Sequence, residues 1–440
     1  MADSVASLQR LFYPRGVAVI GSASEGKMGY ELIGQMQAGP GEGNDLRIFA
    51  VNPKAQGALG VPGYDAVASI PDPVDLAVIA SPPATVPAVL ADCGLAGVRA
   101  AAIITAGFSE VGNDEAERVV VEAAERSGVR FVGPNCAGIV NTAHRLYPTL
   151  ETRPPAGRVA VVAQSGAIGG MVLAWAKQYR LGISKFVSYG NAADLNEIDL
   201  LRYLPDDEQT EVVALYIESV ADGRRFMEAL RACTQQKPVV VIKAGRTEAG
   251  QRATLSHTGS LAGADRVYDA ALKQCGALRV ESVEAMFDAC KAFVSVPRGL
   301  GRRVAIVTNS GGPGVLAADR GEEVGLDVAP PSAKVQEALN AFLPGHCAVG
   351  NPIDLTVQGT GAWYRRALSA LLEDYDAAVA INVSTPYLDH LDLARGVCEA
   401  AQEVTARGGG EKAVVAAFLP ERIVAASVDY LEDNGVPNFA

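Results

Sequence analysis

Residues 157–166 read GRVAVVAQSG, and the same design occurs twice more, as RGVAVIGSAS at 15–24 and RRVAIVTNSGGPG at 302–314. Each stretch passes from basic or glycine residues through an apolar strand into a turn of small residues that opens a helix. This pattern is typical of the first strand of a doubly wound parallel sheet, whose ligands bind at the carboxyl ends of the strands. The sequence therefore predicts three α/β domains.

Spacing and linkers set the predicted domain boundaries. The three stretches begin about 140 residues apart, which is one domain length. Segments rich in proline and glycine, at 152–157 and 296–301, separate them. We predict domains at 1–150, 157–295 and 302–440.

Composition excludes several classes of protein. The chain has 440 residues and a net charge of −12, which argues against a nucleic-acid or anionic-membrane surface. No apolar run is long enough to span a bilayer, and no signal peptide opens the chain. The seven cysteines form no Cys-x-x-Cys pair and have no histidine at metal spacing, so we expect a cytoplasmic protein without a metal site.

One histidine has unusual neighbours. His257 lies in SHTGSLAG at 256–263, where small hydroxyl-bearing residues indicate a loop that can move. An imidazole on such a loop could carry a group between two sites, although a turn histidine satisfied by water is the alternative. Glu218 follows an apolar run and could hold one imidazole nitrogen while the other attacks phosphorus. A solvated turn carboxylate is the alternative interpretation of Glu218.

Two of the small-residue turns predict helix N-termini that bind anions. Free amide donors and the helix dipole favour negative charge there. Together with a mobile histidine, two such sites favour a phosphohistidine. The phosphate-binding candidates are Ser165, Gly166 and Ala167 in the second domain and Gly311, Gly312 and Gly314 in the third.

Turns at the strand ends of the first domain predict a crevice for an extended ligand, such as a nucleotide with a long arm. The turn GSASEGKMG at 21–29 lacks Gly-x-Gly-x-x-Gly spacing, so a nicotinamide dehydrogenase is disfavoured. Lysines after the first two strands could pair with phosphates, although solvated surface is the alternative for each. The cofactor-binding candidates are Gly21, Ser22, Ala23, Ser24, Lys27, Lys54, Ser81, Pro82, Pro83, Thr105, Ala106, Asn135 and Cys136.

The motifs, taken in order, resemble the NDP-forming acyl-CoA synthetases, typified by ADP-forming acetate–CoA ligase, and more distantly the alpha subunit of succinyl-CoA synthetase. SHTGSLAG resembles the family's phosphohistidine loop, and YIE at 216–218 resembles the strand end with the paired glutamate. The first turn departs from the family because it lacks the usual Pro-Gly-Lys. Further resemblances are VNPK at 51–54, GPNC at 133–136, QSGA at 164–167, GNAAD at 190–194, NSGGPG at 309–314 and NPIDLT at 351–356.

This resemblance implies a Rossmann-like CoA-binding domain followed by two flavodoxin-like ligase domains. It implies the interconversion of acyl-CoA, NDP and phosphate with carboxylic acid, NTP and CoA, through an acyl phosphate and a phosphohistidine at His257. Coenzyme A and phosphate would bind to this chain. ATP or ADP with Mg²⁺ would bind only to an ATP-grasp module that the chain lacks. We therefore expect an oligomer with a beta subunit, or a fused protein truncated at Ala440. The alternative is a regulatory module that senses CoA or acyl-CoA without ligase turnover.

Overall fold

The structure is a computed structural model, and it confirms the α/β class expected from the sequence. The chain divides into two compact units, Met1–Cys290 and Lys291–Ala440. Among the residues described, no helix is long and apolar enough to cross a membrane. The described residues are 2–38, 46–252, 264–407, 412–420 and 422–439.

Sheet 1 has six parallel strands in the order β3-β2-β1-β4-β5-β6, which is the strand order of a Rossmann fold. Its central strands are buried along their length, as expected for a parallel sheet with helices on both faces. The strands are β1 (Gly16–Gly21), β2 (Arg47–Val51), β3 (Gly63–Tyr64), β4 (Leu76–Ala80), β5 (Ala100–Ile103) and β6 (Arg130–Val132). The helices are α1 (Ala2–Phe12), α2 (Met28–Ala38), α3 (Val86–Leu95) and α4 (Asp114–Ser127).

Sheet 2 has the order β12-β11-β10-β8-β9-β7, and its five parallel strands follow the flavodoxin order 2-1-3-4-5. The strands are β7 (Ile139–Asn141), β8 (Ala156–Ala163), β9 (Ile183–Ser188), β10 (Val212–Ile217), β11 (Val239–Lys243) and β12 (Leu278–Val280). The helices are α5 (Gly166–Gln178), α6 (Glu197–Tyr203), α7 (Gly223–Thr234), α8 (Asp265–Gln274) and α9 (Val283–Ser295).

Sheet 3 lies in the second unit and has the order β14-β15-β13-β16-β17. All its pairs are parallel except β14 with β15. The strands are β13 (Val304–Thr308), β14 (Ala348–Val349), β15 (Ile353–Asp354), β16 (Ala377–Val383) and β17 (Ala413–Leu419). The helices are α10 (Gly311–Glu323), α11 (Ala333–Asn340), α12 (Gly361–Leu371), α13 (His390–Ala406) and α14 (Ala425–Asp433). The domain ranges 1–150, 157–295 and 302–440 stay a prediction.

Sheets 1 and 2 are joined by shared packing. Strand β7 precedes the first linker, yet it pairs antiparallel with β9 of sheet 2. One hydrophobic cluster contains Leu8 and Val19 beside sheet 1 together with Leu215 of sheet 2. Because apolar surface from both sheets is buried in that cluster, the first unit is held together by a continuous core.

A buried ion pair lies within this core. Lys185 on β9 is 1% exposed, and its Nζ lies 2.6 Å from Oδ2 of Asp207, whose side chain is 4% exposed. The same ammonium donates to the hydroxyl of Tyr13, just after α1, at 3.2 Å. Burial lowers the pKa of Lys185, although the hydrogen bond to Asp207 opposes the shift. The pair therefore ties the N-terminal helix to sheet 2.

We expect Asp207→Ala to lower the free energy of unfolding by about 3–5 kcal/mol, because it leaves a buried ammonium without its counter-charge. Urea denaturation followed by circular dichroism measures the loss. The control is Glu211→Ala, which breaks the exposed pair with Arg158 and should cost less than about 1 kcal/mol. Equal losses in the two variants would contradict this account of the core.

Candidate functional site

The strand order of sheet 2 reverses between β8 and β10, so the loops after these strands diverge and leave a crevice. Ser165 caps α5 there, and its Oγ accepts a hydrogen bond from the amide of Ile168 at 3.4 Å. The next two residues, Gly166 and Ala167, lie in the first turn, where the helix supplies no acceptors for their amides. The predicted phosphate-binding turn therefore lies at this crevice.

Gln164 joins the two strand ends. Its backbone amide donates to the carbonyl oxygen of Tyr216 at 3.1 Å. Its side-chain Oε1 accepts hydrogen bonds from the amides of Glu218 at 2.8 Å and Ser219 at 3.1 Å. Glu218 is only 6% exposed. Gln164, which precedes the helix cap, thus fixes the backbone of Glu218, the predicted catalytic residue.

A cavity of about 390 Å³ lies between these loops. That volume is within the usual range for small-molecule sites. It brings together predicted residues from both domains, namely the phosphate-binding turn, Glu218, Asn135 and Cys136. Its full lining is Asn135, Cys136, Ala137, Glu151, Gln164, Ser165, Gly166, Ala167, Gly190, Asn191 and Glu218.

Two loops interlock to form one wall of the cavity. The amide of Asn191 donates to the carbonyl of Pro134 at 3.0 Å, and that of Leu195 donates to the carbonyl of Phe131 at 3.0 Å. Gly190 has a φ of +52°, and a Cβ there would lie 2.3 Å from the Pro134 oxygen. The loops can approach this closely because Gly190 has no side chain.

The side chain of Asn191 extends the interlock to two carboxylates of the first domain. Its Nδ2 lies 2.6 Å from Oε2 of Glu110 and 2.8 Å from Oε2 of Glu117, and its Oδ1 accepts from Asn135 at 3.2 Å. Burial opposes the ionisation of Glu110, but hydrogen bonds from Asn191 and nearby amides hold its pKa below the ordinary value. Sequence reasoning missed both glutamates, because only the tertiary contact gives them a role.

Cys136 has a chemically limited role. Its Sγ is buried and donates to the carbonyl oxygen of Ile103 at 3.2 Å. Burial raises the pKa of this thiol to about 12. Since the thiolate is the nucleophilic form of cysteine, Cys136 can shape the cavity but does not attack a thioester at neutral pH.

The predicted cofactor-binding turns gather at the carboxyl edge of sheet 1. The hydroxyl of Thr105 donates to the carbonyl of Ser81 at 2.7 Å, and the amide of Asn135 donates to the carbonyl of Thr105 at 2.9 Å. Three of the turns are therefore connected into one rim, which ends at the cavity.

The remaining first-domain candidates follow β1, β2, β4 and β5. Lys27 and Lys54 are exposed, as a phosphate-pairing role requires. Asn52 orients the turn before Lys54, since its Oδ1 accepts from the amides of Lys54 at 3.2 Å and Gln56 at 3.1 Å. In the other turns, Ser22, Ser24, Pro82 and Ala106 are exposed, Pro83 is half-buried, and Gly21 and Ala23 are buried.

The second predicted anion-binding turn belongs to the second unit. Helix α10 begins at Gly311, where Gly311 and Gly312 are exposed. Gly314 is buried, and a Cβ there would lie 3.0 Å from Cγ2 of Thr308. His257 lies at 253–263, outside the described residues, so its predicted contact with Glu218 stays a prediction.

A second buried acid lies beside the site. Glu197 at the start of α6 is 4% exposed, and burial raises its pKa to about 7. Tyr189 is itself fully buried and interacts electrostatically with both Glu197 and Glu218. The sequence marks Asn196-Glu197 as a helix start, which gives no sign of this burial.

Three family models match the chain in succession. They are a CoA binding domain at 15–142, a succinyl-CoA ligase like flavodoxin domain at 156–293 and a Ligase-CoA domain at 304–440. Together they agree with the order of domains that the sequence motifs implied.

Individual proteins also match this chain over nearly its whole length. The alpha subunit of ADP-forming acetate–CoA ligase II from Pyrococcus furiosus is 40% identical over 439 residues, which cover 98% of this chain and 94% of that one. ADP-forming acetate–CoA ligase I from Archaeoglobus fulgidus is 40% identical over 98% of this chain, which spans 61% of the longer relative. A dinucleotide-forming acetyl-coenzyme A synthetase 1 from Ca. Korarchaeum cryptofilum, solved with phosphate and ADP, has a TM-score of 0.91. It is 36% identical and covers 98% of this chain and 93% of its own.

We expect Gly190→Ala to destabilise the first unit more than Gly112→Ala does. Both glycines have positive φ, +52° and +79°, so either substitution should cost about 1–2 kcal/mol in backbone strain. Only at Gly190 does the added Cβ also meet a backbone oxygen, whereas nothing lies within 4 Å at Gly112. Thermal unfolding compares the two variants. Equal midpoints would show that the loops do not depend on close approach.

Because Glu197 is buried, we expect the difference in stability between wild type and Glu197→Gln to depend on pH. Below pH 4.5, the ordinary pKa, the carboxyl is protonated in both states and contributes nothing. Between pH 4.5 and about 7 the unfolded chain releases the proton while the folded chain retains it, so wild-type stability falls as pH rises. Relative to wild type, the free energy of unfolding of the variant should rise by up to about 3 kcal/mol between pH 4.5 and pH 8.

Urea denaturation at pH 4.5 and at pH 8 measures this difference. Glu125→Gln, on the exposed face of α4, is the control and should show no such trend. A difference between Glu197→Gln and wild type that is the same at both pH values would contradict the raised pKa.

Proposed function

The chain belongs to the family of ADP-forming acetate–CoA ligase alpha subunits, and we propose that it performs the acyl-transfer steps of an NDP-forming acyl-CoA synthetase. Together with a nucleotide-binding partner, it would interconvert acyl-CoA, NDP and phosphate with carboxylic acid, NTP and CoA. The observation on which the proposal depends is the cavity shared by the two interlocked domains. There the predicted cofactor-binding residues Asn135 and Cys136, the phosphate-binding turn and the predicted catalytic glutamate line one space.

Coenzyme A fits the rim of sheet 1. We assign its phosphates to the exposed turns that carry Lys27 and Lys54, where amides and lysines can pair with them. The match to a CoA binding domain over 15–142 supports this assignment. The rim continues through Ser81 and Thr105 to Asn135, so the thioester end reaches the cavity.

Phosphate fits the start of α5. With phosphate held by the amides of Gly166 and Ala167, one of its oxygens attacks the thioester carbonyl carbon. The new carbon–oxygen bond forms as the carbon–sulfur bond breaks, and the thiolate leaves and takes up a proton to give CoA. The product is an acyl phosphate. Oriented amides stabilise the negative charge on the phosphoryl oxygens throughout this step.

His257 then accepts the phosphoryl group. One imidazole nitrogen attacks phosphorus, the bond between phosphorus and the acyl oxygen breaks, and the carboxylic acid leaves. Glu218 holds the other ring nitrogen, which fixes the tautomer and raises the nucleophilicity of the first. Its position is favourable because Gln164 ties Glu218 to the strand end that leads into the phosphate-binding turn.

Transfer to nucleotide needs a second site. We assign the anion-binding start of α10, with Gly311, Gly312 and Gly314, to the phosphoryl group at that stage. NDP and Mg²⁺ would be held by an ATP-grasp module, as a partner subunit or a fused domain. Two relatives named as alpha subunits, from Pyrococcus furiosus, support a separate partner.

We expect radioactive phosphate to label the chain when acyl-CoA is added, and His257→Asn to abolish the label. The bond should be labile to acid and stable to base, because a phosphoramidate forms on the imidazole. Glu218→Gln should slow labelling by about ten- to a hundredfold, as removal of the carboxylate partner of an active histidine does in metal sites.

His346→Asn is the matched control, because His346 is exposed in the second unit. This variant should label like the wild type. Equal labelling of His257→Asn and wild type would show that another residue carries the phosphoryl group. CoA binding without any labelling, even with the partner supplied, would instead favour a CoA-sensing regulatory module.

A further inference from the structure

Glu151 is a carboxyl inside the cavity that the steps above do not use. It lines the cavity and is half-buried. Its backbone is fixed on both sides, since its amide donates to Oγ1 of Thr149 at 3.1 Å and its carbonyl accepts from Gln35 at 3.2 Å. The backbone of Glu151 is therefore held at the edge of the cavity.

The carboxyl group of Glu151 lies against α5. A Cβ added to Gly170 would lie 1.9 Å from Oε2 of Glu151, which places the carboxylate over the second turn of that helix. Burial raises the pKa of the carboxyl, and no neighbouring charge contributes to the shift. Within the described residues, no ion pair or hydrogen bond to the carboxylate oxygens of Glu151 is present.

The Glu151 carboxylate belongs to the lining of the cavity, and partial burial there disfavours its charged form. A ligand in the cavity that donates a hydrogen bond to this carboxylate offsets the desolvation.

The acyl group is the part of the substrates that reaches this position. The thioester end of CoA enters past Asn135, and phosphate occupies the start of α5. An acyl chain that extends from the thioester carbon shares this cavity with Glu151, which belongs to its lining. An acetyl group has no hydrogen-bond donor to offer this carboxylate.

We propose that Glu151 determines the choice of acid, and that the enzyme prefers carboxylic acids with a hydroxyl group on the acyl chain over unsubstituted alkanoic acids. The hydroxyl donates a hydrogen bond to the carboxylate of Glu151. A site built to bind a hydroxyl discriminates strongly against an analogue that lacks one, because its polar group is then left unpaired. This inference rests on the proposed function, since it assigns the acyl group to the cavity.

The test compares turnover of 3-hydroxybutanoyl-CoA, 4-hydroxybutanoyl-CoA and butanoyl-CoA with phosphate and ADP, using the chain together with its nucleotide-binding partner. We expect kcat/KM for at least one hydroxyacyl substrate to exceed that for butanoyl-CoA by about ten- to a hundredfold. Glu151→Leu should bring the ratio close to one and act mainly through KM, whereas Glu151→Gln, which keeps an acceptor oxygen, should retain part of the preference.

Gly170→Ala provides a second variant that leaves Glu151 in place. The new Cβ occupies the position of the carboxylate and displaces it, so the preference should fall as it does in Glu151→Leu. Alanine is favourable inside a helix, so this variant should fold. Glu228→Leu, exposed on α7, is the control and should keep the wild-type ratio.

Failure of the two proposals can be distinguished. Comparable kcat/KM for all three substrates in the wild type, or an unchanged ratio in Glu151→Leu, overturns the role of Glu151 and leaves the ligase function intact. No turnover of any substrate overturns the ligase function. Calorimetric titration with the same three thioesters then decides the role of Glu151 by the same ratios, measured as dissociation constants.

Discussion

The close approach of two backbone loops is the constraint on which the rest of the site depends. Strand β6 and the loop after it accept hydrogen bonds from the loop after β9, at the carbonyls of Phe131 and Pro134. Gly190 makes this possible, because any side chain there would collide with the Pro134 oxygen. Strand β7 adds to the connection by crossing from the first sheet to the edge of the second. The rim for the long ligand and the phosphate-binding turn are therefore parts of one rigid unit.

That rigidity matters for the proposed chemistry. Phosphate and thioester react only when their atoms are held a few ångströms apart in a fixed orientation, and such positioning can supply a large share of the rate. Gln164 extends the same principle to Glu218, since one side chain fixes two successive amides of the neighbouring loop. Cys136, in contrast, is made inert by burial, which leaves the attack to phosphate.

The strand ends could be located from the sequence because the signals are local. An apolar run followed by small residues predicts a parallel strand and its turn, and all three opening turns lie at the carboxyl ends of strands. Apart from Glu218, the acids in and around the cavity gave no such signal. Glu110 and Glu117 acquire their role by contact with Asn191, which is more than seventy residues away in the chain. Glu151 directly precedes the first linker, and Glu197 resembles an ordinary residue at a helix start.

The sequence by itself determined the α/β class, the order of the motifs and the residue types available for phosphoryl transfer. These properties follow from periodicity, turn chemistry and local spacing, which act over a few residues. Only the tertiary structure decided which turns share a cavity, which carboxyls are buried there and how far each pKa moves. Those outcomes depend on contacts between distant segments, and above all on the approach of the Gly190 loop to the Pro134 loop. Desolvation and hydrogen bonding around each side chain, rather than residue identity, give Glu110, Glu151 and Glu197 their different properties.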